Sequence, residues 1–151
     1  MSRIEELYKE MILEHNRNPR NFREIDPCSH RSHGVNPLCG DDYHLYLKVE
    51  KDIISDVGFK GSGCAISKSS GSLMTSLLKG KPISEANEMK NSFLLLLTSE
   101  VGGDDLPEGL GKLRVFEGVK KFPIRVKCAT LIWHALEAAL HQTGSGAVST
   151  E

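Results

Sequence analysis

Three cysteines in this chain sit where a thiol can do chemistry. Cys64 lies in Gly61-Ser62-Gly63-Cys64-Ala65-Ile66-Ser67, and Cys128 lies in Arg125-Val126-Lys127-Cys128-Ala129-Thr130-Leu131. Each segment reads as an extended stretch that ends in a cysteine and opens a helix. A thiol at a helix N-terminus faces unpaired backbone N–H groups and the positive end of the helix dipole, which favour thiolate, the form that binds metal and attacks sulfur. Lys120, Lys121, Arg125 and Lys127 would push Cys128 the same way. Cys39 lies in Asn36-Pro37-Leu38-Cys39-Gly40-Asp41, a turn just ahead of a strand, with a carboxylate two positions on. The expectation is that Cys39, Asp41, Cys64 and Cys128 meet at one site.

Three thiolates and a carboxylate suit tetrahedral zinc, and they also suit an iron–sulfur cluster. Spacing does not choose between them, because 25 positions separate Cys39 from Cys64, 64 separate Cys64 from Cys128, and no C-x-x-C pair occurs. The bland alternative is that each cysteine is a small buried hydrophobe. The glycines and serines around Cys64, and Pro37 and Gly40-Asp41-Asp42 around Cys39, argue against a core address for these residues. Cys28, in Asp26-Pro27-Cys28-Ser29-His30, has no comparable surroundings and stays outside the expected site. His30 and His33 fall in an irregular stretch and offer an alternative fourth ligand to Asp41, whereas His44 and His134 read as solvated or hydrogen-bonded. The glycines before Cys64 invite comparison with a phosphate loop, but the Gly-x-x-x-x-Gly-Lys-Ser/Thr register is absent. A cysteine hydrolase built on Cys64 would need a histidine base that nothing in the sequence selects.

The elements that must position these residues follow from periodicity. Ile4, Leu7, Tyr8, Met11, Ile12 and His15 mark one face of a first helix. Residues 16 to 38, with Pro19, Pro27, Gly34 and Pro37, read as irregular with a short strand near His33. Alternation over Tyr43 to Glu50, and again from Ile53 to Phe59, predicts an antiparallel hairpin whose second strand delivers Cys64. A helix follows to a stop at Gly80, another spans Ser84 to Leu97, and Val101 to Gly111 reads as a loop. Leu113 to Val119 reads as a short helix, and the chain then extends through Arg125 and Val126 into a last helix opened by Cys128. Residues 1–143 make one expected domain and 144–151 a disordered tail.

Composition narrows the class. With 151 residues the chain can bury a core without staples. Its 19 basic and 20 acidic side chains give no basic stripe for nucleic acid. The longest apolar run, Phe93 to Leu97, is far short of a membrane span, and the charged N-terminus does not read as a secretory signal. A reducing, cytoplasmic setting is expected, in which cysteines serve as thiols, ligands or redox groups.

Taken together and in order, the Asn36–Asp42, Gly61–Ser67 and Val126–Leu131 motifs resemble those of iron–sulfur cluster assembly proteins of the IscU and NifU N-terminal family, and the similarity runs nearly the length of the chain. The resemblance implies an α+β fold, a small antiparallel sheet with helices packed mainly on one face, and the three cysteines and Asp41 gathered at one exposed end. Lys127 stands where scaffold members of the IscU branch carry histidine, and the segment running through Leu94 to Lys112 is longer than theirs. Both features resemble the SufU branch. That branch implies zinc on Cys39, Asp41, Cys64 and Cys128 and sulfur taken from a SufS-like cysteine desulfurase. It also implies Cys39 as the persulfide acceptor, with Arg125 supporting Asp41 or the thiolates. The alternative that the wider family implies is iron or a [2Fe–2S] cluster on the same four residues, built there and handed to acceptor proteins.

Overall fold

A computed structural model describes residues 3–98, 110–141 and 148–149. Helix α1 (Arg3–Arg17) precedes strands β1 (His30–Asn36), β2 (Asp41–Glu50) and β3 (Ile53–Ser62). Helices α2 (Ala65–Leu78) and α3 (Ile83–Thr98) follow, then a 3-10 helix (Gly111–Lys121), α4 (Pro123–His141) and the two-residue strand β4 (Val148–Ser149). The sheet order is β3-β2-β1-β4, with the β1–β2 and β2–β3 pairs antiparallel and β4 parallel to β1. The result is the α+β architecture expected from the sequence.

The β2–β3 hairpin follows its alternation: Tyr43, Leu45 and Leu47 of β2 and Val57 and Phe59 of β3 are buried beneath the helices. Over that face Trp133 of α4 stacks on Phe93 of α3 with ring centroids 4.7 Å apart, and Phe93 meets Phe116 edge-on at 5.8 Å. Helix α2 buries Leu73, Met74 and Leu78 together with a set of small polar side chains: Ser67, Ser69, Ser70, Ser72 and Thr75. Their hydroxyls are engaged, Ser70 donating to Ala129 O at 2.6 Å while accepting from Trp133 Nε1 at 3.1 Å. Ser72 Oγ binds His15 Nδ1 at 2.6 Å and accepts the Arg20 N–H at 2.8 Å, which ties α1 and the following turn to α2. Small side chains let the backbones approach, and the hydrogen bonds offset the desolvation of the hydroxyls.

Two expectations change. The short strand expected near His33 is a full seven-residue strand, longer than the irregular surroundings suggested. It lacks the apolar alternation of β2 because its inner face is covered closely by α4. A Cβ on Gly34 would lie 3.1 Å from Leu131 Cδ1, and Ser32 Oγ donates to Ala135 O at 2.6 Å, so only small or polar residues fit. Helix α4 begins at Pro123, not at Cys128. Proline is favoured at the first helical position, where its missing N–H costs nothing, and it holds Phe122 extended, at φ −125° and ψ 97°. Cys128 is therefore in the second turn and does not open the helix.

Of the loop expected over Val101 to Gly111, residues 101–109 lie outside the described residues. Within the expected tail, Val148 and Ser149 pair with Gly34 and Val35, and the remainder is likewise outside them. Among the described residues no helix is long and apolar enough to cross a membrane.

Two outcomes are expected. Gly71 of α2 packs on Phe59, and an added Cβ would sit 2.7 Å from that buried ring. Alanine favours an α-helix over glycine by about 1 kcal/mol, but overpacking costs about 1–3 kcal/mol, so Gly71→Ala should lower the denaturation midpoint. Burial, then Arg20 and Lys112, hold the His15 imidazole below its ordinary 6.5. The unfolded chain thus takes up this proton first, and the contribution is complete above 6.5 and lost as pH falls below it. Melting temperature should drop between about pH 7.5 and about pH 5.5, and by less in His15→Gln.

Candidate metal centre

Asn36 and Asp41 pair across the β1–β2 turn, which presents Cys39. The turn closes through Cys39 N–H on Asn36 O at 3.1 Å, and Gly40 takes φ +71°, a left-handed conformation that suits glycine. Cys39 is half-buried and Asp41 is buried at 2 % exposure. Cys64 is the N-cap of α2, as its motif predicts, with Sγ accepting the Ser67 N–H at 3.4 Å. Its own N–H donates to Asp41 Oδ1 at 2.9 Å. The preceding glycines answer to space, not phosphate: a Cβ at Gly61 would run into Asp42 O. One at Gly63 would sit 2.5 Å from Asp41 Oδ1 and 2.7 Å from the Tyr43 hydroxyl.

One ligand atom from each of Cys39, Asp41 and Cys128 lies within 4.8 Å of the others. Cys64 is a hydrogen bond away from Asp41, but its Sγ is turned to Ser67 and is not in that mutual cluster. Arg125 is exposed, with its guanidinium 4.5 Å from the centre of the Phe122 ring. No described hydrogen bond or ion pair joins it to Asp41 or a cysteine. His33 lies with Asp42 and His44, and His30 Nδ1 is paired with Ser29 Oγ at 2.9 Å. Neither takes the place of Asp41, and Cys28 is separate from the cluster.

Three polar side chains that were not singled out in the sequence shape the site. Ser67 Oγ donates to Asp41 Oδ1 at 3.0 Å and lies 3.2 Å from the Tyr43 hydroxyl. Burial pushes the Tyr43 phenol up to about 12, so it remains neutral. Asn36, fully buried, spreads its Nδ2 between Asp41 Oδ2 and Cys128 Sγ, each at 3.4 Å, and its Oδ1 has no partner among the described residues. The available signals were Ser67 at the third helical position after the capping Cys64, and Asn36 directly before Pro37.

Charge at the site is unbalanced. Burial drives the Cys128 thiol far above its ordinary range, reinforced by hydrogen bonds to Cys39 and Asp41 and by negative charge at Cys64 and Asp41. This reverses the expectation of an activated Cys128 and follows from its place in the second turn, away from the free N–H groups. Among the described residues no Lys or Arg forms an ion pair with Asp41, and the Asn36 amide reaches Asp41 Oδ2 only at 3.4 Å. Two sulfurs and a carboxylate oxygen within reach of one another are the donor set of a borderline divalent metal, whose charge would reverse that proton preference.

The fold and this thiol–carboxylate cluster define a small α+β domain that brings together a cysteine on the β1–β2 turn, a carboxylate at the start of β2 and a cysteine inside α4. The family model for the NifU-like N-terminal domain matches residues 7–129, and the chain belongs to that family. It is 38 % identical over 143 residues to the zinc-dependent sulfurtransferase SufU of Bacillus subtilis, covering 95 % of each chain. It is 34 % identical to the iron–sulfur cluster assembly scaffold protein IscU of Streptococcus pyogenes, over 96 % of this chain and 89 % of the other. Among solved structures it resembles the SUF-system protein FiSufU of Fervidobacterium islandicum AW-1. That match has a TM-score of 0.79 at 34 % identity, over 87 % of this chain and 94 % of the other. The N-terminal NifU-like protein of Brucella abortus shares the fold at TM-score 0.81.

Burial and protonation should separate the thiols. After chelation of any metal, brief alkylation of the folded protein should modify Cys39 at least ~10-fold faster than Cys128, measured by peptide mass spectrometry, with the difference vanishing in denaturant.

Proposed function

We propose that this chain is a zinc-dependent sulfur acceptor in iron–sulfur cluster assembly, taking persulfide sulfur from a cysteine desulfurase. The observation that carries the reading is the convergence of Cys39, Asp41 and Cys128 within 4.8 Å, in a chain similar over nearly its whole length to a zinc-dependent sulfurtransferase. Cys39, Asp41 and Cys128 would hold the zinc, joined by Cys64 when its sulfur leaves the Ser67 N–H. Zinc, when bound, would keep the thiols deprotonated at neutral pH and shield them from oxidation.

Cys39 is the acceptor in this reading because it is half-buried on a turn, while Cys128 is buried inside a helix. Its thiolate attacks the outer sulfur of the donor's cysteine persulfide. A new S–S bond forms on Cys39 as the donor's S–S bond breaks, and the donor cysteine leaves as a thiolate, with no net oxidation. Asn36 and Ser67 hold Asp41 in place throughout, and Gly40 gives the turn its backbone freedom. Arg125, exposed at the start of α4, is placed to meet a partner's acidic groups more readily than to orient Asp41.

A second reading, a scaffold on which a [2Fe–2S] cluster is built on the same residues and passed to acceptor proteins, is supported by the similarity to IscU of S. pyogenes. One experiment separates them. With a SufS-like desulfurase and cysteine present, persulfide trapping and peptide mapping should place the label on Cys39 and not on Cys28. Label on none of Cys39, Cys64 and Cys128 would end the sulfur-acceptor reading and leave the scaffold.

A further inference from the structure

On the opposite side of β2 from the cysteines, a second set of metal-ligating side chains comes together. His33 of β1 and His44 of β2 are direct cross-strand partners, and Asp42, two positions before His44, shares its face. The imidazole rings lie parallel, 6° apart in plane, with centroids separated by 4.1 Å. His33 Nε2 is 2.6 Å from Asp42 Oδ1. One ligand atom from each of the three lies within 4.8 Å of the other two, and the groups are half-buried or exposed.

From this geometry we propose a second divalent-metal site at His33, Asp42 and His44, taking a first-row transition ion such as zinc, cobalt, nickel or ferrous iron. Two imidazole nitrogens and one carboxylate oxygen, without sulfur, suit a borderline ion better than calcium or magnesium, which prefer all-oxygen cages. Tetrahedral metal–ligand bonds near 2.0–2.1 Å place ligand atoms roughly 3.4 Å apart, so the two imidazoles must turn out of their parallel stack and the cluster must close by about an ångström, movements open to side chains at a half-buried to exposed surface. Three protein ligands leave positions for water or an incoming ligand.

A His33–Asp42 ion pair alone would account for one contact but not for the third group stacked beside it. The neighbouring cations rest on aromatic rings, although Arg31 is still near enough to disfavour charge on His44. Arg31, two positions before His33, lies over the Tyr46 ring at 5.3 Å, and Lys60, paired with His44 from β3, lies over the Phe22 ring at 4.8 Å. Aromatic faces attract such cations, and among the described residues neither forms an ion pair with Asp42. The site is independent of the reading proposed for the cysteines, since it uses none of them. Asp41 and Asp42 are consecutive on β2 with their side chains on opposite faces, so one strand start carries both clusters.

Cobalt tests this directly. The full chain, stripped of metal, is titrated with Co²⁺ while absorption and equilibrium dialysis are followed, alongside His33→Ala and His44→Ala. Wild type should bind one cobalt per chain that gives no sulfur-to-cobalt charge-transfer band, in addition to any ion that does. Both variants should lose the sulfur-free ion and keep the sulfur-bound one. Paramagnetic broadening of the His33 and His44 imidazole signals ahead of His134, which lies in α4, supports the same assignment. The proposal is overturned if all bound cobalt carries the sulfur band, or if the sulfur-free ion persists in both variants.

Discussion

The Asp41 carboxylate is the joint on which this site turns. A carboxylate at 2 % exposure survives only if its oxygens are met. Besides the Cys128 thiol, its donors come from three places: the Cys64 N–H at the start of α2, the Ser67 hydroxyl one turn on, and, more loosely, the Asn36 amide at the end of β1. These bonds hold the sheet to the α2 start in the position that brings Cys39 and Cys128 within reach of the same oxygens. Gly63 is required by the same contact, since any side chain there would occupy the space where Asp41, Ser67 and Tyr43 meet.

The rest of the fold serves this junction. β2 and β3 bury an apolar face, the polar but hydrogen-bonded α2 settles against it, and α4 crosses β1 closely enough to carry Cys128 down to Asn36. The balance at the centre is electrostatic: thiols and a carboxylate with few donors, one of the thiols held strongly protonated by burial. Such a cluster is poorly matched to itself and well matched to a dication. The same chemistry that makes Cys128 a poor nucleophile by itself makes it a suitable fixed ligand, and the turn residue Cys39 is left as the more accessible sulfur.

Much of this was legible in the chain. The β2–β3 alternation, the amphipathic α1 and the capping position of Cys64 each follow from a local rule that tertiary structure did not override. Strand β1 was legible only as a short strand near His33 and not in its full length, because Ser32, Gly34 and Asn36 face α4 with small or polar groups in place of an apolar stripe. The start of α4 was misplaced because Pro123 suggests a break yet is equally at home in a first helical turn, and this moved Cys128 from a helix opening into a buried second turn. Asn36, Ser67 and Tyr43 carry no motif of their own. They matter only through distances to Asp41 and Cys128 that periodicity does not encode, and the histidine pair on the outer face of the sheet depends likewise on a register set by the turn.

The central claim is that sulfur and carboxylate from distant parts of the chain hold one metal ion. X-ray absorption at the zinc edge, on protein purified without added metal and quantified by elemental analysis, tests it most directly. At least one tightly held zinc per chain, with sulfur prominent among its nearest neighbours, is the predicted result. Protein that carries no zinc, or zinc surrounded only by nitrogen and oxygen, would contradict it.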